Sequence, residues 1–164
     1  MHKADEQRMI VAWVESMGGK VGYDYEVNRH GDFYEELNLR REPQGPAWLR
    51  DLVGVDFLHD VVLVDLGVTP VSDLSRLAGL TDLRHLYLWD TQVSDLQPLA
   101  ELTNLQNLYL YKTPVSDLTP MAGLTNLINL GVGDAVTEEE ADKLLQALPN
   151  CAIYRGDPNY TFQR

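Results

Sequence analysis

The fold is decided by residues 85–118, HLYLWDTQVSDLQPLAELTNLQNLYLYKTPVSDL. The segment LYLWDTQVSDL at 86–96 returns as LYLYKTPVSDL at 108–118, which is 22 residues later. Two copies this similar predict a repeat architecture, in which each unit buries its leucines against the next unit. They also raise a functional question, because an aromatic side chain follows LYL in both copies.

The leucine pattern of this stretch runs through most of the chain. Leu83, Leu86 and Leu88 form the pattern LxxLxL, which recurs at a spacing of 22 residues. A degraded last copy is expected after a step of 21, so that three clear units lie between two degenerate ones. The equivalent positions are Leu105, Leu108 and Leu110, then Leu127, Leu130 and Val132, with Val61, Val64 and Leu66 before them and Leu148, Cys151 and Ile153 after them.

Each unit is predicted to begin with a short strand of a parallel sheet. Leu86 and Leu88 point to the core and their neighbours to the opposite face, because side chains alternate along a strand. The VSDL segment then carries the core round the convex side, where Ser94 is expected to cap a short helical or 3-10 turn that contains Pro98. Thr91 lies where the chain leaves the strand, and its hydroxyl is placed to bond the buried backbone there. The equivalents are Ser72 and Ser116 for the cap and Thr69 and Thr113 for the corner.

The repeat LxxLxLxxTxVSDLxPLxxL resembles the 22-residue class of leucine-rich repeat in internalin-like bacterial proteins, over roughly residues 58–153. This resemblance implies an α/β fold, a short curved solenoid with parallel strands on its concave face, used mostly to bind other proteins. The family usually has asparagine at the corner where this chain has threonine. The front of the chain, with Gly-Gly and YDYE segments, is also similar to planctomycete-type leucine-rich repeat proteins. Members of that group often carry a membrane-spanning segment upstream.

Three regions are predicted: an α/β N-terminal cap at 1–57, the repeats at 58–153 and a C-terminal tail at 154–164. The cap would cover the open edge of the first unit, which would otherwise invite aggregation. Its elements are an amphipathic helix over 4–17, a strand over 20–27, a turn at 28–32, a loop at 35–47 and a short helix near Trp48.

The concave face supplies the candidate site. At a step of 22 residues, Tyr87 meets Tyr109 and Trp89 meets Tyr111 on strands about 4.8 Å apart. These four rings stand between glycines and predict a protein-binding patch with open space on either side, since Tyr and Trp dominate binding hot spots. The alternative is that cross-strand aromatic pairs only stabilise the sheet. The candidate partner-binding residues are His85, Tyr87, Trp89, Asn107, Tyr109, Tyr111 and Asn129.

Two other functions stay open beside protein binding. One is a structural domain that associates with copies of itself through the same aromatics. The other is recognition of a small molecule or sugar, with Tyr and Trp as stacking platforms. Size measurements at several concentrations and quenching of Trp89 by a compound would separate them.

Enzyme activity is not expected, and neither a cofactor nor a metal site is predicted. The chain has no GxSxG, P-loop, HExxH or paired-cysteine motif, and its nearest acid–base pair is His85 with Asp65. The acidic segment at 134–142 is interpreted as the start of a helix capped by Thr137. Cys151 is expected to be a buried, unreactive thiol.

The charge limits the partners. The formal net charge is −12, which argues against nucleic acids and anionic membranes. Residues 58–153 hold 13 acidic and 4 basic side chains, a net of −9, which either favours a basic protein partner or serves only to keep the protein soluble. A single cysteine, a charged N-terminus and no apolar run of about 20 residues predict a soluble cytoplasmic protein. The alternative is the soluble part of a longer membrane-anchored protein.

Overall fold

The computed structural model describes residues 3–28 and 59–156. The predicted loop at 35–47, the short helix near Trp48 and nearly all of the predicted turn and tail lie outside these residues. None of the described helices is long and apolar enough to cross a membrane. In chain order the elements are α1 (Lys3–Ser16), β1 (Lys20–Tyr23), β2 (Val61–Asp65), β3 (His85–Tyr87), β4 (Asn107–Tyr109), β5 (Asn129–Val132), α2 (Glu138–Ala147) and β6 (Ala152–Arg155), with 3-10 helices at Ser75–Gly79, Gln97–Leu99 and Thr119–Met121.

The strands form one sheet in the order of the sequence, from β1 to β6. Strands β2 to β6 pair in parallel, and β1 pairs antiparallel with the free edge of β2. Leu86 lies opposite Val64 on one side and Leu108 on the other, which is the predicted step of 22. The predicted α/β solenoid with a parallel sheet is confirmed.

The leucines of the repeat form one continuous core. Leu83, Leu86 and Leu88 have no exposed surface, and the convex-side residues Val93 and Leu96 are at most 1% exposed. Each buried leucine contributes roughly 1.5–3 kcal/mol of transfer free energy. Most of this burial is made between units, so a unit cut off from its neighbours would lose it.

The corner after each strand is built from one threonine hydroxyl. Thr69, Thr91 and Thr113 are buried, and each Oγ1 donates to the carbonyl three residues earlier at 2.6–2.7 Å. A buried carbonyl without a partner is costly, so this bond stabilises the turn. The predicted role of the threonines is confirmed.

The turns on the convex side are capped by aspartate and not by serine. Asp73 Oδ1 accepts from the backbone N–H of Ser75, and Asp95 and Asp117 make the same bond two residues on. An Asx side chain is well suited to this geometry, because its oxygen reaches the N–H two residues ahead. The predicted cap at Ser94 is wrong by one residue, whereas Pro98 does lie in the first turn of its 3-10 helix.

The last repeat is shifted against the prediction. Leu130 of β5 pairs with Ile153 of β6, a step of 23 instead of the alignment with Cys151 at a step of 21. A shift of two residues keeps the same face of the strand, because side chains alternate with a period of two. The two extra residues accompany the longer helix α2, which replaces the short convex turn of the other units.

The N-terminal elements are hydrogen-bonded to the first repeat. Gln7 of α1 is buried and donates to the His59 carbonyl while accepting from the Val61 N–H. The helix ends as expected, with Gly18 at φ 86°. Glycine is required at position 19 for a different reason, because a Cβ there would lie 2.6 Å from the carbonyl oxygen of Asp65.

The predicted strand over 20–27 is shorter than expected. It ends at Tyr23, where the chain turns with Glu26 N–H and Val27 N–H both donating to the Tyr23 carbonyl. The Glu26 carboxylate accepts from the Tyr23 N–H and closes the turn. Tyr25 therefore does not continue the alternation.

Left-handed backbone at the corner predicts a stabilising substitution. Val68, Asp90 and Lys112 occupy equivalent positions with φ of 59°, 56° and 55°. A β-branched residue is poorly suited to this region, whereas Asn tolerates it. Because Val68 is 62% exposed, Val68→Asn should raise the free energy of unfolding by about 0.5–1 kcal/mol. Urea titration measures this, with Asp90→Asn as a matched substitution expected to change little. A destabilised Val68→Asn protein would contradict the account.

The aspartate caps predict loss of stability in acid. The hydroxyl and N–H bonds from Ser75 and Thr119 lower the pKa of Asp73 and Asp117 below the ordinary value of an aspartate. A lowered folded-state pKa gives stability that is present above the unfolded value and lost as the pH falls through the folded value. The melting temperature should therefore fall below about pH 4. Asp73→Asn/Asp117→Asn should make that fall less steep, and an identical pH profile would refute the role of these carboxylates.

Candidate binding face

The outward positions of the sheet line up in columns, as the repeat predicts. His85 lies in register between Leu63 and Asn107. Tyr87 lies opposite Tyr109. The concave face therefore carries one polar and one aromatic column across adjacent strands.

The polar column is a directional hydrogen-bonded ladder. The Tyr154 hydroxyl donates to Asn129 Oδ1 at 3.4 Å, and Asn129 Nδ2 donates to Asn107 Oδ1 at 2.7 Å. Asn107 Nδ2 then lies 2.6 Å from His85 Nδ1, so this ring nitrogen accepts. His85 and Asn107 are only 1% and 5% exposed. These two side chains therefore hold strands together beneath the surface.

The aromatic column packs closely along the sheet. The Tyr87 and Tyr109 ring centroids are 5.3 Å apart at 46°, and those of Tyr109 and Tyr111 are 5.8 Å apart at 27°. The phenol end of Tyr111 fills the place where a Cβ of Gly131 would lie, 2.3 Å from Cζ. Tyr111 is consequently 6% exposed. We call Tyr87, Trp89, Tyr109, Tyr111 and Tyr154 the aromatic face.

Trp89 lies at the rim, just beyond the end of β3. Its five-membered ring occupies the side-chain space of Gly67, with Nε1 2.3 Å from an ideal Cβ position there. The indole is nevertheless 40% exposed. The open space predicted beside the rings is thus filled at Gly67 and Gly131, because the absence of a Cβ lets the rings lean onto the neighbouring units.

The N-terminal end of the concave face is closed. Val27, Val62 and Leu63 form a separate buried cluster with Tyr87 packed against it. Leu63, the first member of the polar column, has no exposed surface. Exposure along the polar column therefore increases towards Asn129 of β5.

Burial divides the predicted partner-binding residues into three groups. Trp89 is exposed, whereas Tyr87, Tyr109 and Asn129 are half-buried. His85, Asn107 and Tyr111 are buried, with 1%, 5% and 6% of their surface exposed. The sequence reasoning missed Tyr154 as a neighbour of Asn129, because a last step of 21 placed it beside Gly133, in the column of Trp89 and Tyr111. Tyr154 is 37% exposed and lies opposite Gly131 in the aromatic column.

The features considered for chemistry have structural roles. Asp65, the predicted acid–base partner of His85, lies in register with Tyr87. Thr137 caps α2 by accepting from the Glu140 N–H at 3.1 Å, as predicted. Cys151 is buried, and burial raises the pKa of its thiol to about 11. Within residues 3–28 and 59–156, no cluster of three His, Cys, Asp or Glu side chains is suited to hold a metal ion.

Comparison with known proteins gives similar solved structures. No protein-family model matches the chain, and no curated protein matches its sequence. Internalin C2 from Listeria monocytogenes is 35% identical over 57% of this chain and 43% of its own, with a TM-score of 0.49. A leucine-rich repeat protein from Leptospira interrogans is 24% identical over 54% of this chain and 24% of its own, with a TM-score of 0.50. Internalin F from Listeria monocytogenes is 26% identical over 55% and 32%, with a TM-score of 0.40.

This chain spans less than half the length of each of these three structures. The likeness to the Leptospira protein concerns the fold. It agrees with the parallel sheet, the buried leucines and the repeat of 22 residues found in this chain. By its repeat of 22 residues and its parallel sheet, the chain has the fold of a leucine-rich repeat solenoid.

Proposed function

We propose that the chain is a protein-interaction module that binds its partner through the exposed part of the aromatic face. The observation that carries this proposal is the exposure of two large rings, Trp89 at 40% and Tyr154 at 37%, on a sheet whose other aromatic side chains are half-buried or buried. Aromatic side chains of this kind dominate the energy of protein interfaces. The resemblance to leucine-rich repeats implies the same use of the concave face.

Rigid support favours binding at these rings. Trp89 is seated on Gly67, and Tyr154 is tied to Asn129, which is tied in turn to Asn107. Side chains held in this way lose little rotamer freedom when a partner covers them. Asn129 is half-buried and adds a polar group at the edge of the surface.

The contact surface proposed here is smaller than the sequence alone predicts. It consists of Trp89 and Tyr154, with Tyr109 and Asn129 between them. His85, Asn107 and Tyr111 support it from below. A small-molecule site or association with a second copy would use the same rings, and the tests below separate these outcomes.

Removing the two exposed rings should abolish most of the affinity. Trp89→Ala/Tyr154→Ala should weaken the partner complex by about 30-fold or more, as expected for hot-spot residues. The matched control is Met9→Ala on α1, which removes a 52% exposed apolar side chain elsewhere and should leave the affinity unchanged. The partner is captured from lysate of the source organism and purified, and its Kd is then measured by calorimetry with all three proteins.

The controls decide what a negative result means. Circular dichroism and melting curves must show that both variants are folded. Equal affinity of wild type and the double variant would refute the aromatic face as the binding surface. Light scattering over a range of concentrations tests self-association. A dimer formed by the wild type and not by the double variant would show that the partner is a second copy of this chain.

The ladder is predicted to act on stability. Asn107→Ala leaves His85 Nδ1 and Asn129 Nδ2 without their ladder bonds in a buried setting, and should lower the free energy of unfolding by about 1–3 kcal/mol. The matched control is Asn104→Ala, which loses one exposed bond to the Thr81 carbonyl and should cost less than about 1 kcal/mol. Urea unfolding measures both. If the two variants are destabilised equally, the ladder contributes nothing beyond an ordinary surface bond.

A further inference from the structure

The rim at the end of β3 combines exposed apolar surface with carboxylates. Val68 is 62% exposed and Trp89 is 40% exposed. Val68 N–H donates to the Trp89 carbonyl at 2.9 Å, which fixes the two residues side by side. Asp90 follows directly and is exposed. We call Val68, Trp89 and Asp90 the rim patch.

A second carboxylate lies beside this patch. Asp65 is half-buried at the end of β2, and its Oδ1 accepts from the Gly67 N–H at 2.9 Å. Gly67 is the residue whose side-chain space the Trp89 ring occupies. The indole therefore lies against Gly67, whose N–H is bonded to Asp65, and Asp90 follows Trp89 directly in the chain.

The backbone holds this arrangement in place. Asp90 is in the left-handed region at φ 56°, and its N–H donates to the Tyr111 carbonyl at 2.8 Å in the next unit. Val68 is held at φ 59° although a β-branched residue resists that region. Strained residues of this kind persist where the surrounding structure determines them, and they gather at binding sites.

These groups match the parts of one kind of side chain. An arginine has an apolar stem that can cover Val68. Its planar guanidinium stacks on an indole through a cation–π interaction, and its positive charge is neutralised by carboxylates. A purely apolar partner would leave Asp90 without a counter-charge, and an acidic one would be repelled by it.

The charge of the surroundings has the same sign. Residues 58–153 carry a net charge of −9. Basic residues close to the patch are Lys20 of β1, which lies in register with Asp65, and Lys112, which lies one unit along the rim from Asp90. Lys112 occupies the position equivalent to Asp90 and follows the buried Tyr111, so the exposed indole and the carboxylate coincide in one unit only.

We propose that the rim patch binds an arginine side chain of the protein partner, with the guanidinium against Trp89 and its charge neutralised by Asp90 and Asp65. This inference rests on the proposed function and names the chemistry of its partner. Arginine is favoured over lysine because the indole offers a planar surface for stacking.

The test uses two peptides that differ in one charge. The ¹⁵N-labelled protein is titrated with a short capped peptide that carries a single arginine, and with the same peptide carrying citrulline, its uncharged isostere. The Trp89 indole N–H signal is identified by its absence in Trp89→Phe. The arginine peptide should shift this signal, and the citrulline peptide should bind at least about tenfold more weakly because it lacks the charge.

Variants locate the effect. Asp90→Asn should weaken arginine binding about threefold, as expected for one exposed ion pair. Asp95→Asn, which changes an exposed carboxylate on the convex side, should leave it unchanged. Gly67→Ala should displace the indole, since the new Cβ would lie 2.3 Å from Nε1, and should abolish the shift while circular dichroism stays native.

The outcomes separate this inference from the proposed function. Equal binding of the citrulline peptide, or an unmoved Trp89 signal at millimolar arginine peptide, overturns the inference. In one outcome, Trp89→Ala/Tyr154→Ala fails to bind the purified partner while Asp65→Asn/Asp90→Asn binds it normally. That result supports protein binding at this face and contradicts the arginine contact. If the partner is kept by both variants, the proposed function itself fails.

Discussion

The stacking of one unit on the next is the constraint on which the rest of the structure depends. Leu86 is buried in the common core and lies between Val64 and Leu108 of the neighbouring strands. The same pairing fixes the distance and register between units, so any residue placed outward in one unit meets its equivalent in the next. The columns of the concave face therefore follow from the packing of the core on the other side of the sheet.

The corner after each strand makes that stacking possible at a constant step. A threonine hydroxyl donates a hydrogen bond to the carbonyl three residues earlier, at the end of the strand. The residue directly before each threonine has a left-handed backbone conformation, which turns the chain away from the strand. Threonine is shorter than the asparagine usual in the resembling family and serves a single carbonyl. The backbone supplies further contacts between corners, with Val68 N–H bonded to Trp89 and Asp90 N–H to Tyr111. The rim is thus hydrogen-bonded from unit to unit, as the sheet is.

The periodicity of the sequence predicted what depends on alternation and spacing, and it could not predict what depends on the direction of a side chain. The strands, the outward columns and the corner threonines follow from a step of 22 residues. That step says which face Tyr111 takes, but not that it leans onto Gly131 and becomes buried. The serine and the aspartate of VSDL are both good caps, and only the observed backbone favours Asp95.

Within the aromatic face, glycine and aromatic residues act as pairs. Gly67 without a Cβ seats Trp89, and Gly131 seats Tyr111, yet the first ring stays 40% exposed and the second is covered. The two rings differ in their position on the face. Trp89 lies at the rim against Gly67, the equivalent residue of the preceding unit. Tyr111 instead lies diagonally across the sheet against Gly131, beside Tyr109. Contact with Gly67 therefore holds Trp89 in place while leaving it exposed, whereas contact with Gly131 buries Tyr111. A ring that is both immobilised and exposed loses surface to water at little entropic cost when it is covered. For this reason we propose that binding is concentrated at Trp89 and, at the other end of the sheet, at Tyr154.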